Sequence, residues 1–193
     1  MLVGDAPWED FTFGALSLVQ EGKSIRLYYR ASIPDLKNEQ IAIIALAEST
    51  DGGRSFHRPA LGLVEFQGSK QNNILWHGGL PGVPPAFLDT HPHCPPAMRY
   101  KGFTMEWGKL YAMTSADGLC WRPMQEGPLT MEGTFDTINT GFWDSVAGCY
   151  RSYTRTFVDP ATGQPYPPNG INWSTGVRAI QTATSPDFIH WTP

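Results

Sequence analysis

One short pattern occurs three times in this chain and sets a period for the whole sequence. An apolar stretch that suits a β-strand is followed by Ser-x-Asp, and four or five residues after the aspartate comes an aromatic residue. The aspartate can bond its own backbone, and in the first two copies a following glycine tolerates positive φ, so each copy predicts a strand that ends in a tight turn. The copies contain Ser49, Ser115 and Ser185, which lie 66 and 70 residues apart.

A period of this length is too long for helical solenoid repeats and has room for about four strands with their loops, which is one blade of a β-propeller. Helix signals are weak, because 20 Gly and 17 Pro are spread along the 193 residues and no long window has a 3.6-residue apolar period. The sequence therefore predicts an all-β fold, a single partial β-propeller domain over residues 1–193, with repeats at roughly 7–60, 86–123 and 133–193.

Composition restricts the partners. The net charge is −4 and no run of Lys or Arg forms a basic stripe, so no nucleic-acid partner is expected. No apolar run is long enough to span a bilayer, and no signal peptide follows Met1. The three cysteines lack a Cys-x-x-Cys spacing, and His91-Pro-His93-Cys94 does not have the spacing of a closed zinc site, so no metal or cofactor is expected.

Strands are predicted at 11–19, 25–30, 41–48, 99–105, 109–114, 150–155 and 178–184, with a hairpin turn at 20–23. Asn72 and Asn73 are interpreted as turn or loop residues. The strands containing Tyr28, Tyr111 and Tyr150 are interpreted as equivalent members of the three repeats.

Acidic residues near the first strand of each repeat are the candidates for chemistry, because propeller repeats place those strands around a common axis. Measured to the aromatic strand, Asp10 precedes Tyr28 by 18 residues, Asp89 precedes Tyr111 by 22, and Asp136 precedes Tyr150 by 14. Glu9 and Asp144 lie close by in the sequence. Carboxylates forced together have their pKa values pushed apart, and glycoside hydrolysis needs such an acid and base.

Several segments together resemble a known family, the glycosidase-type five-bladed β-propeller proteins related to invertase-like and arabinanase-like glycoside hydrolases (families 32 and 43 and relatives). The segments are Pro7-Trp8-Glu9, Leu27-Tyr-Tyr-Arg30, Ala47-Glu-Ser-Thr-Asp-Gly52, Leu61-Gly-Leu-Val-Glu-Phe66, Asn72-Asn73-Ile74, Arg99-Tyr-Lys101, Phe135-Asp136 and Phe142-Trp-Asp144. The resemblance implies that about three of five blades are present. It also implies that the chain is a fragment, with the missing C-terminal blades of the same propeller as its partner.

Such enzymes carry one acidic residue on each of three successive blades. By this resemblance Asp89, within Phe87-Leu-Asp-Thr-His-Pro92, is the carboxylate that modulates the site, and Asp136 is the proton donor, at a place often held by Glu. Glu9 or Asp10 would stand in for the first carboxylate, and Asp144, Arg155 and Trp143 would contact a carbohydrate substrate. The resemblance implies no cofactor, and an extracellular or periplasmic role in polysaccharide breakdown.

Other interpretations remain open at this point. Each acid can instead cap a turn or a strand end, and Asp51, Asp117 and Asp187 are predicted to be turn-formers because they belong to the repeat. The tryptophans can be core residues rather than sugar platforms. The whole chain can accordingly be a non-catalytic carbohydrate-binding propeller, or a propeller that serves as a protein-interaction platform.

Overall fold

The computed structural model of the protein describes residues 2–9, 12–34, 40–77, 83–106, 108–135, 138–166 and 175–193. These residues form three antiparallel sheets. Sheet 1 contains β1 (Thr12–Glu21), β2 (Ser24–Pro34), β3 (Gln40–Ser49) and β4 (Ile74–His77). Sheet 2 contains β5 (Phe87–Leu88), β6 (Tyr100–Glu106), β7 (Lys109–Ser115) and β8 (Arg122–Pro123). Sheet 3 contains β9 (Thr140–Asp144), β10 (Cys149–Val158) and β11 (Val177–Ser185).

The only helix in the described part of the chain is a single 3-10 turn at Pro96–Met98, so the all-β prediction is confirmed. No helix among these residues is long and apolar enough to cross a membrane. In each sheet the first three strands are hydrogen-bonded to one another in the order in which they occur in the sequence. β4 and β8 add a fourth strand to sheets 1 and 2. The first sheet thus extends past residue 60, to β4.

The three sheets repeat the same strand register. In each sheet the second strand pairs with the third so that one residue lies opposite the serine of the repeated turn: Ile25 opposite Ser49, Tyr100 opposite Ser115, and Tyr150 opposite Ser185. The first strand pairs with the second at the same level, through Gln20, Leu88 and Trp143. Residues at the same level in different sheets are therefore structurally equivalent.

This register corrects one sequence interpretation. Tyr111 lies in β7, the third strand of its sheet, and cannot be equivalent to Tyr28 and Tyr150, which lie in second strands. Tyr28 is in turn equivalent to Tyr153, because each lies three residues after the position opposite the serine. Strand pairing decides equivalence, and an aromatic stretch in the sequence does not reveal its pairing partner.

The repeated turn is held by its own side chains. The Ser115 hydroxyl donates to Asp117 Oδ1 at 2.9 Å and accepts from the Gly118 amide at 2.9 Å, while Asp117 Oδ1 accepts from the next two amides. Asp187 makes the same bonds in sheet 3, and Asp51 makes them in a turn that is one residue longer. The predicted turn-forming role of these aspartates is confirmed.

The sheets pack face to face in chain order. One apolar cluster fills the space between sheets 1 and 2 and includes Tyr28, Leu46 and Tyr100; another lies between sheets 2 and 3 and includes Phe103 and Phe188. β1 contacts β5, and β5 contacts β9, so the first strands are neighbours, as in the blades of a β-propeller. The described sheets do not close a ring.

The remaining face of sheet 1 is covered by the chain itself. Leu2, Trp8, Phe56, Val64 and Phe66 pack on it. Asn72 and Asn73 lie in a loop, as predicted, but both are buried, and Asn73 Nδ2 donates to the Tyr29 hydroxyl and the Leu46 carbonyl at 2.6 Å each. These hydrogen bonds join the loop to the two central strands of sheet 1.

Candidate functional site

Asp89 is the centre of a buried polar cluster between sheets 2 and 3. It directly follows β5, and its amide donates to the Arg99 carbonyl at 2.8 Å. Its side chain is fully buried. Oδ1 accepts from the His91 amide at 2.9 Å, and Oδ2 accepts from the Tyr150 hydroxyl at 2.7 Å and from Lys101 Nζ. The carboxylate therefore joins sheet 2 to sheet 3.

These partners keep Asp89 ionised. Burial acts to raise its pKa, but the hydrogen bonds from Lys101, Tyr150 and the His91 amide together hold the pKa below its usual range. Burial and the hydrogen bond to Asp89 raise the pKa of Tyr150, so this phenol stays protonated and remains a donor. The result is a buried ion pair of sheet 2 that receives a phenol from sheet 3.

Aromatic rings border this cluster. The His91 ring lies 4.2 Å from the Trp143 ring and stacks at 5.9 Å on Tyr150, and Trp143 meets Tyr150 edge to face at 5.0 Å. Cys94 Sγ accepts from Lys101 Nζ at 3.3 Å. Within the described part of the chain, no group of three or more His, Cys, Asp or Glu side chains could hold a metal ion.

Asp144 and Arg155 lie on sheet 3 but in different places. Asp144 ends β9, accepts from two amides of the following turn, and pairs with Arg151 Nε at 2.9 Å. The Ala147 amide and Arg151 lower its pKa. Arg155 lies five residues along β10 from Tyr150, or about 17 Å at the usual rise of a strand, and its guanidinium stacks over Phe157. Arg155 is therefore not part of the Asp89 cluster.

Glu9 is buried on the far side of sheet 1. Its Oε1 accepts from the Tyr29 hydroxyl at 2.6 Å and Arg58 Nε at 3.0 Å, and its Oε2 accepts from Arg58 Nη2 at 2.7 Å. Tyr29 belongs to the apolar cluster that covers the outer face of this sheet. Two other predicted site residues, Asp10 and Asp136, lie outside the described residues.

Asp89 does not hold the strand position that the sequence interpretation assigned to it. It follows the first strand of its sheet, whereas Glu9, Asp10 and Asp136 precede β1 or β9 in the chain. The true equivalents of Asp89 are Glu21 and Asp144, because each directly follows the residue that pairs at the serine level. Sequence spacing measured to Tyr111 produced the false equivalence.

Glu21 was missed by sequence reasoning. Its Oε2 accepts from the Tyr100 hydroxyl at 2.6 Å and its Oε1 pairs with Arg99, so it joins sheet 1 to sheet 2 as Asp89 joins sheet 2 to sheet 3. The distance along the chain from these carboxylates to the turn serine varies with loop length: it is 28 residues for Glu21 but 41 for Asp144. No fixed spacing in the sequence could therefore have identified the series.

The fold places the chain among glycosidase-like structures. No protein-family model and no curated protein matches it. A solved structure of a glycosyl hydrolase from Bacteroides ovatus matches with a TM-score of 0.52 and 17% identity over 96% of this chain. A second solved structure, from work on GH130 mannoside phosphorylases and on glycoside hydrolases that target β-1,2 mannosidic linkages in Candida mannan, matches with a TM-score of 0.50 and 15% identity, again over 96% of this chain.

The chain spans about half the length of these structures, 50% of the first and 49% of the second. At this level of identity the likeness shows a glycosidase-like all-β fold, to which the three packed sheets conform. Fold alone does not specify activity, because one fold carries many functions.

Proposed function

We propose that this chain forms part of a glycoside hydrolase, which binds an oligosaccharide or polysaccharide in a carboxylate-lined funnel at the centre of a five-bladed β-propeller. The main support is the likeness of 96% of the chain to a solved glycosyl hydrolase structure. Its partners in this proposal are the carbohydrate substrate and the remaining C-terminal blades of the same propeller. The site itself supplies the chemical argument.

Asp89 suits the role of a charged modulator rather than that of a proton donor. Its pKa lies below the usual range because Lys101, Tyr150 and the His91 amide outweigh its burial. A group that protonates a leaving oxygen needs a raised pKa. The proposal therefore assigns proton donation to Asp136, which precedes β9 in the sequence, and assigns to Asp89 the field that acts on neighbouring acids.

Among the residues predicted to bind substrate, Trp143 is the best supported. Its ring contacts His91 and Tyr150, both of which contact the Asp89 cluster. Indole rings stack well on sugar faces. Asp144 is less well supported, because its side chain is held by Arg151 and by two amides of the following turn.

A non-catalytic carbohydrate-binding propeller is the second candidate function. It is favoured by one observation: Glu9, Asp89 and Asp144 are each held in an ion pair, with Arg58, Lys101 and Arg151 respectively. A carboxylate held in an ion pair stabilises the fold and is less able to give or take a proton in catalysis.

The test is hydrolysis of a panel of aryl glycosides and oligosaccharides, including β-1,2-linked mannosides, by the full-length gene product. Each substrate is assayed with and without inorganic phosphate, because a sugar phosphate product would identify phosphorolysis instead. The variants are Asp136→Asn and Asp89→Asn, with Glu126→Gln as the control, since Glu126 is exposed. A double variant, Asp89→Asn with Lys101→Met, avoids leaving a buried ammonium unpaired.

Hydrolysis that falls by about a hundredfold or more in Asp136→Asn, at unchanged Tm, supports the proposal, because general acid catalysis contributes typically 10²–10⁴-fold. Full activity in that variant removes Asp136 from the mechanism. An inactive wild-type protein that still binds sugars shows the carbohydrate-binding alternative to be the better one.

A further inference from the structure

Each sheet has a face that points toward the next sheet in the chain, which we call its forward face. The strand register identifies three equivalent apolar positions on this face, one on each of the first three strands. They are Val19, Tyr28 and Ile44 in sheet 1; Phe87, Phe103 and Leu110 in sheet 2; and Phe142, Tyr153 and Ile180 in sheet 3.

Among the described residues, a following sheet covers the forward faces of sheets 1 and 2 but no sheet covers that of sheet 3. Tyr28 and Phe103 are 0% and 2% exposed, because sheets 2 and 3 pack on them. Their equivalent in sheet 3, Tyr153, is 45% exposed, and Ile180 is 71% exposed. At the positions that are buried between the other sheets, sheet 3 therefore exposes apolar side chains.

A polar latch accompanies each covered face. Glu21 and Arg26 of sheet 1 both bond the hydroxyl of Tyr100, at 2.6 and 3.2 Å. Asp89 and Lys101 of sheet 2 both bond the hydroxyl of Tyr150, at 2.7 and 3.4 Å.

Both tyrosines occupy the same position in their own sheet, opposite the serine of the repeated turn. A carboxylate and a cation of one sheet thus receive a phenol from the following sheet.

Sheet 3 has the carboxylate and the cation of this latch. Asp144 is equivalent to Asp89, and Arg151 is equivalent to Lys101 and Arg26 by register. Asp144 Oδ2 and Arg151 Nε lie 2.9 Å apart at the edge of the uncovered face.

We propose that the forward face of sheet 3 is the docking surface for a further antiparallel sheet of the same repeat, which follows in the same polypeptide. The docked sheet covers Phe142, Tyr153 and Ile180, and its second strand presents a tyrosine hydroxyl to the Asp144–Arg151 pair. The inference rests on the part of the proposed function that gives the chain further propeller blades, and it adds where the next blade docks. It does not depend on the proposed hydrolase activity, so the docking and the activity can fail separately.

A second copy of this chain does not fit the same surface in the same way. The face of sheet 1 that would have to dock is covered by Leu2, Trp8, Val64 and Phe66 of its own chain. The residue opposite Ser49 is Ile25, which has no hydroxyl to offer to Asp144. A new sheet that carries a tyrosine is therefore the occupant.

The test compares the 193-residue chain with the full-length gene product. Ile180→Thr removes apolar contact from the proposed surface while keeping a β-branched residue in β11. Val177→Thr is the control, because Val177 lies in the same strand on the opposite face and is 50% exposed. In the full-length product Ile180→Thr is expected to lower Tm by about 3 °C or more, whereas in the 193-residue chain it behaves like Val177→Thr.

The latch is tested by Asp144→Asn in both proteins. In the 193-residue chain this variant loses only the turn bonds and the Arg151 pair, and in the full-length product it is expected to lose about 2 °C more, through the tyrosine contact. Equal losses in the two proteins contradict the latch. Equal effects of Ile180→Thr in both, or a gene product whose mass is that of this chain, 21.4 kDa, overturn the docking proposal.

Discussion

Replacing Lys101 by methionine tests the buried polar cluster of sheet 2 that binds the Tyr150 hydroxyl of sheet 3. The side chains of Lys101 and Asp89 are 3% and 0% exposed, so neither charge is solvated. Methionine fills similar space but leaves the carboxylate with the Tyr150 hydroxyl, the His91 amide and the Cys94 thiol as donors. Removing one partner of a buried ion pair costs about 3–5 kcal/mol, and we expect that loss in the free energy of unfolding.

The effect should depend on pH with a definite sign. In the wild type the pKa of Asp89 lies below its usual range, so its contribution is complete above the unfolded value of about 3.9 and is lost as pH falls through the folded pKa. Without Lys101 the pKa of Asp89 is expected to rise above its wild-type value, because one of the groups that oppose the effect of burial is gone. The variant then gains stability relative to wild type as pH falls, and the two curves converge in acid.

Urea unfolding followed by tryptophan fluorescence at pH 7 and pH 4 measures both quantities. Lys109→Met is the control, because Lys109 is exposed on β7. The double variant Asp89→Asn with Lys101→Met should recover most of the loss, since no charge is then left buried. A Lys101→Met protein as stable as Lys109→Met at pH 7, or a double variant less stable than Lys101→Met, would refute the reasoning.

Two further predictions concern the repeated turns. Gly118→Ala should lower the free energy of unfolding in urea by about 1–3 kcal/mol more than Gly148→Ala does. Both glycines have positive φ, but a Cβ at Gly118 would overlap the Tyr28 hydroxyl, whereas a Cβ at Gly148 would meet open space. Equal losses of stability in the two variants would contradict the packing of sheet 1 against this turn. For Asp187, burial acts to raise the pKa, but hydrogen bonds from the backbone and ring of His190 and from neighbouring groups lower it to about 2. Carboxyl NMR should show that midpoint, with any stabilisation complete above about 3.9 and lost as pH falls through about 2; a midpoint near 3.9 would exclude the hydrogen-bonded turn.

The local fold could be predicted from the sequence because its signals are local. Ser-x-Asp places a hydroxyl and a carboxylate within reach of the next few amides, so the turns at Asp117 and Asp187 follow from three or four consecutive residues. The strands on either side are short apolar stretches bounded by Gly, Pro or charged residues. The candidate site could be predicted only in part: Asp89 was selected, but its partners Lys101 and Tyr150 come from two other strands and were not.

The sequence by itself determined the all-β class, the period of the repeat and the turn that ends each third strand, because these depend on neighbouring residues along the chain. Only the tertiary structure decided which residues are equivalent, since pairing between strands sets the register and loop lengths hide it. Tertiary structure also decided that Glu21, Asp89 and Asp144 form one series and that Glu9 belongs to another cluster. The physical reason is that ion pairs and hydrogen bonds between strands depend on distance in space, which the spacing of residues in a chain with variable loops does not encode.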